Sequence, residues 1–214
     1  MFDGKFRQRV DAGIAPVGRG LSRLGFSADV LTTSGLLFAL ATGWAIATNF
    51  FWWAIALLIV SGVHDLLDGA VAKASARANQ RGSFFDSVVD RISDAALLAG
   101  VAYWIEVHHP GPLVLLPFGL VTTFFIISYE RSKAESLGIP AKGGLMERAE
   151  RLVLIGVALS NHAIFIPVLW ALLVLTTMTA VGRFYRVWQQ AASTSAAEGV
   201  QGRRPRRASR NARS

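Results

Sequence analysis

Apolar segments close to bilayer length recur along this chain, at roughly 30–49, 51–64, 95–105, 113–128, 152–160 and 164–182. A helix needs about 20 largely apolar residues to cross the hydrocarbon core. Extending each segment into its helical flanks predicts six transmembrane helices, with the second, third and fifth short in their purely apolar parts. The composition, 52% hydrophobic and 17% charged, lies outside the soluble range and agrees with that reading. The 214 residues suffice for one domain.

The connections set an orientation. "TNFF", "EVHHPGP" and "SNHAIFIP" contain no Lys or Arg, whereas the alternate connections carry Lys73, Arg77, Arg81, Arg131, Lys133, Lys142, Arg148 and Arg151. With the termini, all 22 Lys and Arg residues fall on one side, which predicts a multi-pass cell-membrane protein with both termini cytoplasmic. The formal charge of +8 then reads as topology and attraction to anionic lipid, and a nucleic-acid partner is not expected. With no cysteine, any metal must be held by oxygen or nitrogen ligands.

Ahead of the first span, Phe2, Phe6, Val10, Ile14, Val17, Leu21 and Leu24 recur at helical spacing among basic residues. The pattern predicts an amphipathic helix lying in the interface and bent at Pro16. This segment has no continuous apolar core, so it is not expected to be a cleavable signal peptide. The expected fold is an all-α integral membrane protein of six transmembrane helices preceded by that interfacial helix. Residues 1–28 form the juxtamembrane helix, 29–190 the six-helix domain, and 191–214 a disordered basic tail.

Against this background, Asp65, Asp68, Asp86, Asp90 and Asp94 crowd into 30 residues, although an intramembrane carboxylate is costly and usually functional. The run Phe51–His64 spans about 21 Å as helix, so Asp65 and Asp68 should sit near the cytoplasmic interface. They share one helix face at i, i+3, and Asp86 and Asp90 share another at i, i+4. A hairpin between these helices would set the two pairs face to face, where they would repel unless cations neutralised them. Two divalent ions balance four carboxylates, and all-oxygen ligation suits Mg²⁺ or Mn²⁺. Gly69, Ala72 and Gly82 leave room for something to approach the backbone beside them, although close helix packing would also use small residues. Asp94, one turn beyond Asp90, reads as orienting Arg91 or another basic residue, or as a structural residue of the helix.

The spacing Asp65-x2-Asp68-Gly69-x2-Ala72-Lys73-x8-Gly82-x3-Asp86-x3-Asp90 fixes eight positions over 26 residues. It resembles the signature of the CDP-alcohol phosphotransferases, membrane enzymes that join a CDP-linked lipid to an alcohol and release CMP. Lys73 departs from the arginine usual in that family and lacks its bidentate fork. The resemblance implies a six-helix homodimer with a site open to the cytoplasmic leaflet. It implies that Asp65, Asp68, Asp86 and Asp90 bind metal, and that Asp90 is also the general base. It places Asp29, Val30, Leu31 and Thr32, together with Gly69, Lys73, Asn79 and Gly82, against the CDP-lipid. Taken alone, Ser27 and Asp29 also read as an ordinary helix N-terminus.

The stretch "SYERSKAESLGIPAKGGLMERAERLV" resembles a bacterial branch of the family that makes phosphatidylinositol phosphate. Its cations suit a phosphorylated polyol acceptor better than a neutral alcohol, because fixed Arg and Lys side chains make charge-assisted hydrogen bonds to phosphate. Arg131, Arg148 and Arg183 match acceptor-binding positions, with Lys133 and Arg151 as neighbouring candidates. Positive-inside topology also places cations in this loop, where nearby glutamates could pair with them. The implied reaction moves the phosphatidyl group of CDP-diacylglycerol to an inositol phosphate. Glycerol 3-phosphate is the nearest rival acceptor, and a phosphatidylglycerophosphate synthase the corresponding rival enzyme. A cation transporter is the alternative of another class, but it would spread its carboxylates through the bilayer depth. A non-catalytic lipid-binding relative is a third.

Overall fold

A computed structural model describes residues 5–74, 80–141 and 143–202, with side chains over 12–74, 80–141 and 143–192. Asn79, Lys142, the first four residues and 203–214 lie outside the described residues. The chain order is α1 (Lys5–Arg23), α2 (Ala28–Ala47), α3 (Phe51–Ala74), α4 (Gln80–His108), a 3-10 turn (Pro112–Val114), α5 (Leu115–Ser136), α6 (Arg148–Leu159) and α7 (His162–Gly202). All six apolar segments lie largely in helices, and no strand occurs among the described residues.

Among the described residues, four helical segments are long and apolar enough to cross a membrane: 28–47, 51–74, 112–136 and the first 31 residues of α7. The other two differ for visible reasons. Helix α4 is 29 residues long, but its first half carries Arg81, Asp86, Asp90, Arg91 and Asp94. Helix α6 has only 12 residues, about 18 Å of helix. Pro16 lies inside α1, and α7 continues past 190 to Gly202 across the alanine-rich "AASTSAAEGVQG", where helix propensity is high.

Helix ends are set locally. Ser27 caps α2 by accepting a 3.3 Å hydrogen bond from the Val30 N–H. At the other end, Asn49 adopts φ 64°, Asn49 N–H donates to Ile46 and Phe50 N–H to Ala45, and α3 begins at once. Gly138, φ 72°, closes α5 in the same way, its N–H donating to the Glu135 carbonyl and the Ile139 N–H to that of Ala134.

Helix α2 packs on α3 and α4, α1 on α3, α5 on α4 and α7, and α6 on α3 and α7. The α2–α4 crossing is very close. A Cβ on Gly43 would stand 2.4 Å from the Ala96 carbonyl oxygen, and one on Gly100 would stand 2.0 Å from the Gly43 oxygen. Gly18 of α1 similarly lies against Ala70 of α3. The core runs through Ile46, Leu97, Ile105, Leu120, Ile155 and Leu169, while Leu37, Trp44, Trp52, Ile59 and Trp170 face outward. An apolar exterior around a packed interior suits a lipid solvent. At one end of the bundle, Trp104 Nε1 donates 2.8 Å to Asn49 Oδ1, and His162 Nε2 lies 2.8 Å from the same oxygen. The five aspartates occupy the opposite end.

Candidate active site

Helices α3 and α4 both pack on α2, which sets the C-terminal part of α3 near the N-terminal part of α4. Asp65, Asp68, Asp86 and Asp90 come near enough to interact electrostatically, as their face-sharing spacing predicts. Asp68 is buried and accepts a 2.8 Å hydrogen bond from Thr32 Oγ1 of α2. Asp90 lies 3.3 Å from Arg91 Nη1, which also donates 2.9 Å to the Ser87 carbonyl. Gly35 keeps α2 close to this end of α3: a Cβ there would meet His64 at 3.2 Å and Asp65 Oδ1 at 3.7 Å.

Arg148, the first residue of α6, enters this acidic cleft. Its Nη1 pairs with Asp65 Oδ2 and lies 2.6 Å from Asp90 Oδ1, while its Nε stands 3.5 Å from Asp94 Oδ1. The other oxygen of Asp94 is 3.4 Å from Arg151 Nη2. Arg151 is buried, its guanidinium 4.1 Å from the centre of the Phe124 ring. Sequence reasoning left the partner of Asp94 open; the structure gives it two, Arg148 and Arg151. The signal available was its position one turn after Asp90, on the same face of α4.

The remaining cations gather beside the cleft. Buried Arg183 donates from Nη1 to the Ile127 carbonyl (2.8 Å) and from Nη2 to the Gly143 carbonyl (3.3 Å), and it lies 3.8 Å from Glu147 Oε1. Arg186 also donates to Gly143, at 3.2 Å. Glu147 and Arg148 are consecutive, so a single peptide bond joins the Arg183 cluster to the aspartates. Arg131 pairs along its own helix with Glu135 at 3.1 Å, and Lys133 is exposed. Arg186 is not a site candidate in the sequence reading, and Glu147 enters it only among the glutamates that could pair with the loop's cations.

The nucleotide candidates divide by burial. Asp29 and Val30 face outward, Leu31 is buried, and Thr32 is held on Asp68. Gly69 is exposed, with nothing within 4 Å of where a Cβ would stand. Lys73 is exposed and Gly82 half-buried, and Asn79 lies outside the described residues.

Hard carboxylate oxygens fit a hard divalent cation, and the cleft's demand for positive charge is visible in the insertion of Arg148 between Asp65 and Asp90. Among the described residues no three acidic or histidine side chains close on one point, and Arg148 engages two of the four carboxylates.

The chain belongs to the CDP-alcohol phosphatidyltransferase family, whose model matches residues 26–185. It is therefore a transferase of phospholipid synthesis. The chain is 33% identical over 184 residues to the phosphatidylinositol phosphate synthase of Mycobacterium tuberculosis, covering 81% of this chain and 84% of that one. It is 34% identical over 193 residues to the archaetidylinositol phosphate synthase of Methanothermobacter thermautotrophicus, covering 87% and 94%. The crystal structure of the mycobacterial enzyme with CDP-DAG bound superposes with a TM-score of 0.75 at 29% identity, covering 82% of this chain and 93% of that one. Another, in complex with manganese and citrate, gives 0.74 at 29%, covering 82% and 88%. The manganese complex supports use of a divalent metal in this family.

Proposed function

We propose that this protein transfers the phosphatidyl group of CDP-diacylglycerol to an inositol phosphate, releasing phosphatidylinositol phosphate and CMP. One observation carries the reading: Arg148, from the acceptor-matching stretch, directly contacts Asp65 and Asp90 of the family signature. The acceptor cations and the reacting carboxylates thus form one site. Two relatives named for different lipid backbones share an inositol phosphate in their names, which favours that acceptor over glycerol 3-phosphate.

In this reading Asp65, Asp68, Asp86 and Asp90 hold two divalent cations, Mg²⁺ by preference and Mn²⁺ as a substitute. Such ions would polarise the pyrophosphate and offset the charge developing on departing CMP. Asp90 takes the proton of the acceptor hydroxyl as its oxygen bonds to the lipid-linked phosphorus. The phosphorus–oxygen bond to CMP breaks in the same displacement. Thr32 orients Asp68, and the open face at Gly69 admits the nucleotide together with Asp29, Val30, Leu31, Lys73, Asn79 and Gly82. Arg131, Lys133, Arg148, Arg151 and Arg183 supply positive charge for the acceptor phosphate.

The same reading includes six membrane passages, an interfacial α1, cytoplasmic termini and a homodimer. CMP release by purified protein with CDP-diacylglycerol and Mg²⁺ is the direct test, run across inositol 3-phosphate, glycerol 3-phosphate, inositol and serine. Turnover with inositol 3-phosphate, its loss with EDTA, and its loss in Asp90→Asn are expected. Preference for glycerol 3-phosphate would replace the acceptor assignment, and full activity in Asp90→Asn would remove Asp90 from the base role.

A further inference from the structure

Nothing in the phosphate-binding role of Arg148 requires it to sit among the aspartates, yet its guanidinium spans Asp65 and Asp90 while Asp94 lies beside its Nε. From α3 and α4 it faces the carboxylates of Asp65, Asp86, Asp90 and Asp94 in a partly water-excluded cleft. Ionised carboxylates this close repel unless a cation sits among them, and in the arrangement described that cation is Arg148. A divalent ion placed on Asp65 and Asp90 would compete for the same oxygens and repel the guanidinium. Arg148 need not travel far on release. Asp94, itself fixed by Arg151, lies on the inner side of the cleft, and Glu147 next in chain reaches toward Arg183 on the other side. The buried Nε of Arg148 makes no hydrogen bond, so donor capacity remains for a further acceptor.

We propose that Arg148 is the site's own counter-cation: it neutralises Asp65 and Asp90 before metal enters, and metal entry hands it to the phosphate of the acceptor. Metal binding is then a condition for strong acceptor binding, and the two ligands reinforce one another. This rests on the acceptor reading above only in its second half. The first half concerns Arg148 and the aspartates alone.

The test is a Mn²⁺ titration of the purified full-length protein without substrate, followed through the paramagnetic resonance of free Mn²⁺. Arg148→Gln is expected to bind Mn²⁺ about tenfold more tightly than the parent, because an internal competitor has gone. Arg186→Gln, which removes the same charge outside the cleft, should stay within about twofold. Arg148→Met, apolar and of similar reach, carries the same expectation if the glutamine variant does not fold. Unchanged or weaker Mn²⁺ affinity in the Arg148 variants would overturn the proposal. In the parent protein, inositol 3-phosphate should bind about tenfold more tightly with Mn²⁺ present, and Arg148→Gln should abolish most of that gain. Gain of equal size in parent and variant would overturn the handover. Failure of inositol 3-phosphate to bind at any Mn²⁺ concentration would count against the acceptor assignment, and the substrate-free titration would still decide the role of Arg148.

Discussion

Thr32 Oγ1 donates a 2.8 Å hydrogen bond to Asp68 Oδ2, tying the first span to the second at the acidic end of the bundle. The same hydroxyl lies 3.0 Å from the Ala28 carbonyl, so its rotamer is held from both sides. Thr32 therefore sets where Asp68 points, besides lying in the stretch matched to nucleotide contacts. Thr32→Val keeps the shape and removes the donor. A hydrogen bond to a charged group contributes about 1.5–3 kcal/mol, so kcat/KM should fall by roughly tenfold or more. CMP-release kinetics check this, and a variant with parental kinetics would show that Asp68 needs no orienting partner.

Asp94 and Arg151 are 5% and 3% exposed, and each is the other's ion-pair partner. Asp94→Asn leaves Arg151 buried beside a neutral group. Removing one partner of a buried pair costs about 3–5 kcal/mol. The amide still accepts a hydrogen bond, so the lower part of that range is expected, measured by denaturation in a fixed detergent. Asp94→Glu keeps the charge and should recover part of the loss.

The α2–α4 contact tolerates no side chain at its crossing. Gly100→Ala would place a Cβ 2.0 Å from the Gly43 carbonyl oxygen and force the helices apart. Overpacking of this kind costs about 1–3 kcal/mol. Gly20→Ala in α1 meets nothing within 4 Å and should be neutral or stabilising by up to about 1 kcal/mol, since alanine is the better helix former. Comparable melting temperatures for the two variants would contradict the packing argument.

Gly69 offers the opposite case, a glycine exposed at the acidic cleft with open space over its Cα. Gly69→Leu should leave unfolding within about 0.5 kcal/mol of the parent. The KM for CDP-diacylglycerol should rise about tenfold or more, because the added side chain fills the approach to the backbone. An unaltered KM would move the nucleotide elsewhere.

Helix positions and the acidic motif were legible because they are written locally. Apolar runs mark helices through the cost of exposing backbone groups to lipid, and i, i+3 or i, i+4 spacing fixes which aspartates share a face. The caps at Ser27, Asn49 and Gly138 are equally local. The span count was less direct: α4 dilutes its apolar part with charge, and α6 is short.

What the sequence could not decide was which charges meet. Arg148 follows Asp65 by 83 positions and Arg183 follows Ile127 by 56, and no periodicity links residues so far apart. Lys and Arg side chains satisfy the positive-inside pattern equally well wherever their tips point. Only the packing of α6 against α3 and α7 brings the Arg148 guanidinium into the aspartate cleft and sends Arg151 into the core. The chain thus specified its helices, its faces and its family signature through short-range chemistry. The pairing of Arg148 with Asp65 and Asp90, and of Asp94 with Arg151, was decided by tertiary packing, because Coulomb energy depends on separation in space and not along the chain.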